Sequence, residues 1–509
     1  MRGGLSGLAT QIIRHFYSPN GFNFAVGARL PKPDGGLMCV RLRFEGFLQD
    51  EKAHKGVTSA KGSAGWKCCL KCDNILNIDP ELLEGQQYYL HYACAVPAQF
   101  VLHTPESFFA KVDQLKEAHG RISPTAFDTL QKNLGITWCP DGPLMDPHCR
   151  LHYNPVDSTL FDPMHCFVAS SGLSQYEVNG FCLACVEEGY SLEFIDLFQQ
   201  RITLPEGSHS LHKVFFRNRI VKKPENHIKA FAGECLTAVT VLCMFYITVL
   251  RPAGKLSLHG KCILLLQDMH DILFALGDKA TTLGQVLESL MVVHHSLFTR
   301  LYGLGAAKIK FHMSYHIPKQ LLLGLNCFKP ERMHKELKQL ALHAGNAPGP
   351  KREAYIQKRL LAHSLPTLSN GTMFEEYFMV QPQPQPMLRH PLQLLVPMVG
   401  EQVHTSKEMA CGSVGTVRQD SLVVLSCVNK EIKLGMVVCF VRCDCRGSGR
   451  LLHFVRCLNF SKIGELEWAP SCGDLSFYPI EDLQFVIPYL QRDNRIVIPL
   501  LPGVGTRCA

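Results

Sequence analysis

Four short stretches of this sequence carry residue types and spacings that suit metal-dependent chemistry. Asp50 ends the apolar run FEGFLQD, a Cys-x2-Cys follows it in WKCCLKC, an Asp-x-x-His lies in LFDPMHCF, and Glu331 lies in NCFKPERMHKELK. Metal-dependent strand transfer needs carboxylates brought together from distant parts of a chain. The order of an acid at a strand end, a cysteine pair, an Asp-x-x-His and a late Glu therefore predicts a metal site.

The cysteine pair has spacing typical of a zinc site. Cys69 and Cys72 are followed by His91 and Cys94, which gives the pattern Cys-x2-Cys-x18-His-x2-Cys. Thiolates and an imidazole favour zinc, and four such ligands complete a tetrahedron. The chain contains 22 cysteines, so a chance Cys-x2-Cys is not rare. Ordinary reduced cysteines remain the alternative interpretation.

Each acid also has a structural explanation when it is taken alone. Asp50 precedes EKAHKGV and suits the N-cap of that helix, which spacing alone favours over a metal ligand. Asp162 precedes a proline and suits an N-cap with proline at the first helical position. Glu331 in a first helical turn suits an interaction with the helix dipole. Only their order and surroundings indicate a shared site.

The elements that must position these residues follow from local patterns. LSGLATQIIRHFY predicts an amphipathic helix, and the PKPDGG turn between β-rich runs predicts a hairpin whose second strand ends at Asp50. Helices are expected over residues 104–134 and 163–200, and long helices over 225–345. The alternating QPQPQP, Gln381 to Pro386, predicts an extended linker. Short apolar runs between turns then predict a small all-β domain, a partly open barrel.

Composition limits the class of protein. The 509 residues are 46% hydrophobic and 19% charged, which is typical of a globular chain, and the net charge of +8 permits nucleic-acid binding. No secretory signal is visible, so the cysteines are expected to be reduced and the protein nuclear or otherwise cytoplasmic. The apolar run Cys235 to Leu250 has 16 residues, short of the roughly 20 that a bilayer needs, so a buried helix and no membrane partner are expected.

Together, these motifs resemble the transposases of CACTA-type (EnSpm-like) DNA transposons and the related Kyakuja–Dileera–Zisupton lineage. The resemblance covers about residues 1–345 and rests on four motifs in order: LQDEKAHKGVTSAKGSAGWKCCLKC, FDPMHCF, KIKFHMSYHIPKQL and FKPERMHKELK. It implies an RNase H-like α/β core in which Asp50 is the second and Glu331 the third acid of a DDE triad. Asp162 and His165 would be a structural or supporting signature, and the paired cysteines a zinc insert.

The resemblance also implies a domain order and a defect. The family's first catalytic Asp lies on a strand before the helix at which this chain begins, so the core is expected to be N-terminally incomplete and catalysis to be lost or impaired. If the enzyme is active, the resemblance implies that its catalytic site binds Mg²⁺ or Mn²⁺ and acts on transposon-end DNA. The expected domains are a partial RNase H-like core (1–60), a Cys-rich zinc-type insert (61–100), the core continuation (101–224), a helical insert with the late Glu helix (225–345), a linker (346–391) and an all-β domain (392–509).

The sequence allows two further interpretations. The chain is alternatively a non-enzymatic, zinc-containing nucleic-acid-binding or scaffold protein, or an unrelated helical α+β protein whose motifs coincide. Basic segments could meet phosphate through Lys222, Lys223, Lys310 and Arg332, although solvated helix faces explain such segments equally well. Whether the protein forms a homo-oligomer is left open by the sequence.

Overall fold

The structure is a computed structural model of the 509-residue chain. It describes all residues except 1–3, 19–22, 32–34, 80–87, 170, 206–207, 224–225, 276–281, 324–376, 386–387, 389–391, 393–398, 412–414, 426–432, 446–450, 465, 472–474, 493–494 and 499–509. Glu331, Arg332 and most of the expected linker therefore lie outside the described residues.

The described chain mixes helices and sheets. The α-helices are α1 (Gly4–Phe16), α2 (Glu51–Val57), α3 (Pro105–Ala118), α4 (Pro124–Leu134), α5 (Pro155–Ser158), α6 (Pro163–Phe167), α7 (Leu173–Glu187), α8 (Leu192–Gln199), α9 (Phe215–Arg219), α10 (Ala232–Phe245), α11 (Ser257–His270), α12 (Gly284–Tyr302) and α13 (Ile309–Ser314).

Most of the strands lie in the C-terminal third of the chain. The strands are β1 (Ala28–Pro31), β2 (Leu37–Val40), β3 (Phe47–Gln49), β4 (Ile75–Leu76), β5 (Leu90–His91), β6 (Thr159–Phe161), β7 (Ile202–Thr203), β8 (Tyr377–Val380), β9 (Gln383–Pro384), β10 (Val399–Ser406), β11 (Glu408–Cys411), β12 (Gly415–Arg418), β13 (Leu422–Leu425), β14 (Lys433–Cys445), β15 (Leu451–Lys462), β16 (Glu467–Pro470), β17 (Ser476–Pro479), β18 (Leu483–Val486), β19 (Tyr489–Arg492) and β20 (Arg495–Val497).

The chain forms two compact units. Unit 1 comprises residues 1–180, 221–232 and 272–329, and unit 2 comprises residues 181–220, 233–271 and 330–509. This grouping cuts across the expected boundaries at 224 and 391. One reason is that β7, which lies in the expected core continuation, pairs with β19 of the C-terminal sheet.

Unit 1 contains several elements that the sequence predicts. Helix α1 confirms the predicted helix, and the antiparallel pairing of β1 with β2 confirms the predicted hairpin. Residues 32–34 of its turn lie outside the described residues. Helix α2 begins after Asp50, whose carboxylate accepts a hydrogen bond from the Ala53 amide at 2.6 Å, so the predicted cap is confirmed. Thr104 and Ser107 form a reciprocal capping box at the start of α3. A core around Ile13, Phe108 and other apolar side chains lies between these helices.

The strand before Asp50 differs from its prediction. The hairpin's second strand was expected to run to Asp50, but β2 ends at Val40 and a separate strand, β3, begins at Phe47. Strand β3 pairs in parallel with β6 rather than with the hairpin. The break coincides with Gly46, where a Cβ atom would lie 2.5 Å from the Ser158 carbonyl oxygen. Only glycine permits this close approach of the two chain segments.

Unit 2 combines buried helices with an antiparallel sheet. The long hairpin β14–β15 is central, and β10, β13, β16 and β17 pair with its two strands. The all-β prediction is confirmed in this coarse form, although pairing begins before residue 392, because β8 pairs with β11 and β9 with β10. Within the described residues, one helix, Ala232–Leu250, has the length and apolarity of a membrane span, and 67% of its apolar window is buried inside the protein.

Candidate metal centres of unit 1

Asp50 and Asp162 occupy matching positions at one edge of a small parallel sheet. The register of β3 and β6 pairs Gln49 with Phe161, and each acid is the next residue along its strand. Carboxyl ends of neighbouring parallel strands lie at the same edge, which is where sites form in α/β sheets. The two acids therefore lie beside each other in the fold, although 112 positions separate them in the sequence.

Asp162 is fully enclosed and is held by its own helix. The residue is 1% exposed, and its carboxylate accepts hydrogen bonds from the His165 amide at 3.0 Å and from His165 Nδ1 at 2.5 Å. The predicted N-cap with Pro163 at the first helical position is confirmed. The Asp-x-x-His spacing thus brings the two side chains into direct contact. His165 Nδ1 donates a hydrogen bond to the Asp162 carboxylate, and this contact fixes the orientation of the carboxylate.

Both acids line one small cavity with His54, Cys166 and Lys310. Its volume is about 10 Å³, which is room for about one water-sized group. His54 is 4% exposed, and within the described residues no hydrogen bond reaches either ring nitrogen. Burial lowers the pKa of His54 to about 4, so the ring is neutral at physiological pH. Glu51, which forms an ion pair with Lys55, also lines the cavity, so three carboxylates and a buried neutral imidazole surround it.

Lys310 provides the positive charge of this cavity. Burial lowers the pKa of Lys310, while the nearby negative groups, among them Asp50 and Asp162, act in the opposite direction. Its Nζ atom donates a hydrogen bond to the Ala169 carbonyl oxygen at 3.3 Å. The lysine therefore lies close enough to the acid pair to offset part of its negative charge.

A second centre is formed by Cys69, Cys72, His312 and His316. One donor atom from each residue lies within 4.8 Å of the others, and all four side chains are buried. His316 Nε2 lies 3.3 Å from Cys69 Sγ, 3.6 Å from Cys72 Sγ and 3.3 Å from His312 Nε2. A tetrahedral zinc ion with ordinary bond lengths needs ligand separations of about 3.6 Å for S to N and about 3.3 Å for N to N. The cluster could hold a metal such as zinc.

The pKa values of the Cys69 and Cys72 thiols are shifted in opposite directions, as expected for two groups that share one site. Burial opposes ionisation of Cys69, but contact with Cys72 and with the two imidazoles lowers the pKa of Cys69 well below its ordinary value. The same contact raises the pKa of Cys72, because two adjacent thiolates repel each other in a buried place. Both cysteines can be thiolates at the same time only if a cation lies between their sulfur atoms.

Half of the predicted zinc set belongs to this cluster. Cys69 and Cys72 do, whereas His91 and Cys94 are replaced in the group by His312 and His316. His91 Nδ1 instead accepts a hydrogen bond from the Ala93 amide at 3.2 Å. Cys94 Sγ lies 3.8 Å from the side-chain oxygen of Gln99.

The signal for the histidine pair was present in KIKFHMSYHIPKQL. Its two histidines are four residues apart, a spacing that would place them on the same face of a helix. In the structure His312 lies in α13, and His316 follows the end of that helix at Ser314. Local spacing does not link them to Cys69, because 247 positions separate Cys69 from His316. That link depends on the packing of unit 1 and not on local spacing.

A buried polar chain supports α13, the helix that bears His312. Glu177 Oε2 contacts His294 Nε2 at 2.6 Å, His294 Nδ1 contacts His295 Nδ1 at 3.0 Å, and His295 Nε2 contacts Ser314 Oγ at 2.9 Å. Burial, together with the neighbouring His294, keeps the pKa of His295 well below its ordinary value. Ser314 lies between the two histidine ligands, so the chain connects α7 and α12 to the metal centre.

The remaining predicted contacts are with nucleic acid. Lys222 and Lys223 are exposed, and the Lys223 carbonyl oxygen accepts a hydrogen bond from the Asn179 side chain at 3.2 Å. Neither residue lines the acid cavity, whereas Lys310 does.

Comparison with protein-family models, with characterised proteins and with solved structures yields no match to this chain. The two centres of unit 1 are therefore the basis for assigning a function.

Proposed function

We propose that unit 1 is an RNase H-like core derived from a DDE transposase, in which Asp50 and Asp162 bind a divalent ion for cleavage of a DNA strand. The observation that supports this proposal is the placement of the two acids at the carboxyl ends of adjacent parallel strands, around one cavity. Such a protein would act on nuclear DNA. Asp162 then has a more direct role than the structural one that the resemblance implies.

The residues at the acid cavity fit a hard cation. Carboxylate oxygens are the ligands that Mg²⁺ and Mn²⁺ prefer, and Mg²⁺ is commonly held by one or two carboxylates. When bound, such an ion would activate a water or 3′-hydroxyl and stabilise the leaving oxygen. His165 orients Asp162, Asp50 is fixed at the start of α2, and Lys310 balances charge at the same cavity. Glu331, the third acid by resemblance, lies outside the described residues.

We further propose that the Cys69–Cys72–His312–His316 cluster holds zinc in a structural role. A closed set of four protein ligands leaves no position for water or substrate, which is typical of structural zinc. The zinc would join the loop that carries the cysteines to α13, which also supplies Lys310. The two centres would then be mechanically linked, because the zinc fixes the helix whose lysine lines the acid cavity.

A non-enzymatic, zinc-containing nucleic-acid-binding protein is the second candidate. Lys310 favours it, because an ammonium group beside two carboxylates can take the place of a metal ion as their counter-charge. In that case DNA would bind without being cut. The two candidates share the zinc site and differ in whether the acid pair binds a divalent ion.

Nicking of a supercoiled plasmid by the full-length protein in Mg²⁺ or Mn²⁺ separates the candidates. We expect metal-dependent nicking that falls at least about 100-fold in Asp50→Asn and in Asp162→Asn, since each removes a ligand charge. Asp157→Asn, at an exposed position on α5, is the matched control and should nick like the unaltered protein. Plasmid binding with no nicking under any metal condition would favour the second candidate.

A further inference from the structure

Two basic segments that are far apart in sequence meet on the other side of Lys310. Ser171 Oγ lies 2.9 Å from His227 Nε2, and the rings of Tyr176 and His227 are 5.0 Å apart. Lys308 Nζ lies 5.4 Å from the centre of the Tyr176 ring. Ser171, Tyr176, Lys308 and Lys310 line one small cavity, here called the Lys308 pocket.

The segment that carries His227 and Lys229 is firmly attached beside this pocket. The Ile228 amide donates a hydrogen bond to the Gln175 carbonyl oxygen at 3.2 Å, and the Gln175 side chain donates to the Ala230 carbonyl oxygen at 2.7 Å. Gln175 Oε1 also accepts from the Ser171 amide at 3.1 Å. Ser171 has a φ of 65°, a left-handed conformation that is unusual for a side-chain-bearing residue. Strained positions of this kind are held where the surrounding structure fixes them.

The charges around the pocket are of one sign. Lys308 and Lys310 are its only charged lining residues, since no carboxylate is among the residues that the structure places around it. Lys229 lies near enough to act on His227: burial lowers the pKa of His227, and Lys229, Lys310 and Lys308 lower it further. Three ammonium groups near one cavity create a positive potential that favours an anion.

The pocket shares a wall with the acid cavity. Lys310 lines both, with Ser171 and Tyr176 on one side and Asp50 and Asp162 on the other. The pocket's volume of about 10 Å³ is enough for one oxygen atom and too small for a base or a sugar. A ligand would therefore place one of its oxygens here and leave the rest outside.

We propose that the Lys308 pocket binds a single backbone phosphate of DNA through Lys308, Lys229 and the Ser171–His227 pair. The proposal rests on the proposed function, because it places this phosphate next to the one on which the acid pair acts. The contact is to the backbone and reads no base, so it sets the register of the strand across Lys310 without selecting a sequence. Lys310, which lines both cavities, would lie between these two neighbouring phosphates.

Salt dependence of DNA binding tests the pocket separately from catalysis. The binding of a fluorescently labelled DNA duplex to the full-length protein is measured by anisotropy in chelator-treated buffer without added Mg²⁺ or Mn²⁺, over a range of KCl concentrations. Loss of one phosphate contact in Lys229→Met/Lys308→Met should reduce the slope of log K against log[salt] by about 1. The reduction should be the same for two unrelated duplex sequences, because no base is contacted.

The control removes the same charge elsewhere on unit 1. Lys116→Met/Arg121→Met alters two exposed residues and should leave the slope unchanged. Lys229→Met alone, at an exposed position where folding is not at risk, should shift the slope in the same direction as the double variant. An equal slope in the pocket variants and the unaltered protein would overturn the proposal, and so would an equal reduction in the control.

The outcomes of this test and of the nicking assay are independent. A reduced slope without metal-dependent nicking would support the phosphate pocket and contradict the catalytic proposal. Nicking that depends on Asp50 and Asp162, with an unchanged slope in the pocket variants, would support catalysis and overturn the pocket.

Discussion

Replacing His54 should remove a defined part of the protein's sensitivity to acid. The imidazole is 4% exposed, and burial holds its pKa at about 4, against about 6.5 in an unfolded chain. Its folded-state pKa is depressed, so the stabilisation is present above pH 6.5 and is lost as the pH falls toward 4. At pH 5.0 the unfolded state has taken up the proton and the folded state has not, which costs about 2 kcal/mol.

The comparison uses His54→Leu, which keeps the volume of the side chain and removes the titrating group. The free energy of unfolding in urea is measured at pH 7.5 and pH 5.0, with Trp66 and Trp138 of unit 1 as fluorescent reporters. The unaltered protein should lose about 2 kcal/mol more than the variant between these two values. Other histidines titrate in both proteins, so their contributions cancel.

His15→Leu, at an exposed position on α1, controls for the loss of a histidine as such. It should show the same pH dependence as the unaltered protein. If His54→Leu and the unaltered protein lose equal stability between pH 7.5 and 5.0, then His54 is not buried in its neutral form and the description of the acid cavity is wrong.

Four further substitutions test the metal cluster and the packing of unit 2. Cys72→Ser should reduce zinc from about one ion per chain to near zero by mass spectrometry of the metal, whereas Cys94→Ser should leave it unchanged; loss of zinc in both variants would restore the spacing-based ligand set. Asp196→Ala leaves the Phe216 amide without its 2.9 Å acceptor and should cost about 2 kcal/mol in urea unfolding, and an unchanged midpoint would refute this. Gly260→Ala would place a Cβ atom against the Tyr246 ring and should cost about 2 kcal/mol, seen as a lower melting temperature; an unchanged or higher one would contradict the packing.

Local chemistry made part of this fold predictable. Asp50 and Asp162 could be identified as helix caps from sequence because capping depends on residues only three positions away. The β1–β2 hairpin was predictable because its turn residues determine how the chain reverses. In each case the interaction that forms the element lies within a few residues of the signal.

The features that were not predictable depend on long-range packing. His316 meets Cys69 only after unit 1 has folded, so spacing led to the nearer His91 and Cys94. The parallel pairing of β3 and β6 joins segments that are more than a hundred residues apart, and β7 joins a sheet formed mainly by the C-terminal third of the chain. Periodicity identifies strands but does not choose among distant partners.

The central claim is that Asp50 and Asp162 together bind a divalent ion, and Mn²⁺ binding tests it most directly. Free Mn²⁺ is measured by electron paramagnetic resonance as the ion is titrated into the zinc-loaded, full-length protein. We expect a Mn²⁺ site that is lost or weakened at least about 10-fold in both Asp50→Asn and Asp162→Asn and is retained in Asp157→Asn. Mn²⁺ binding of equal strength in all four proteins, or no binding by the unaltered protein, would contradict it.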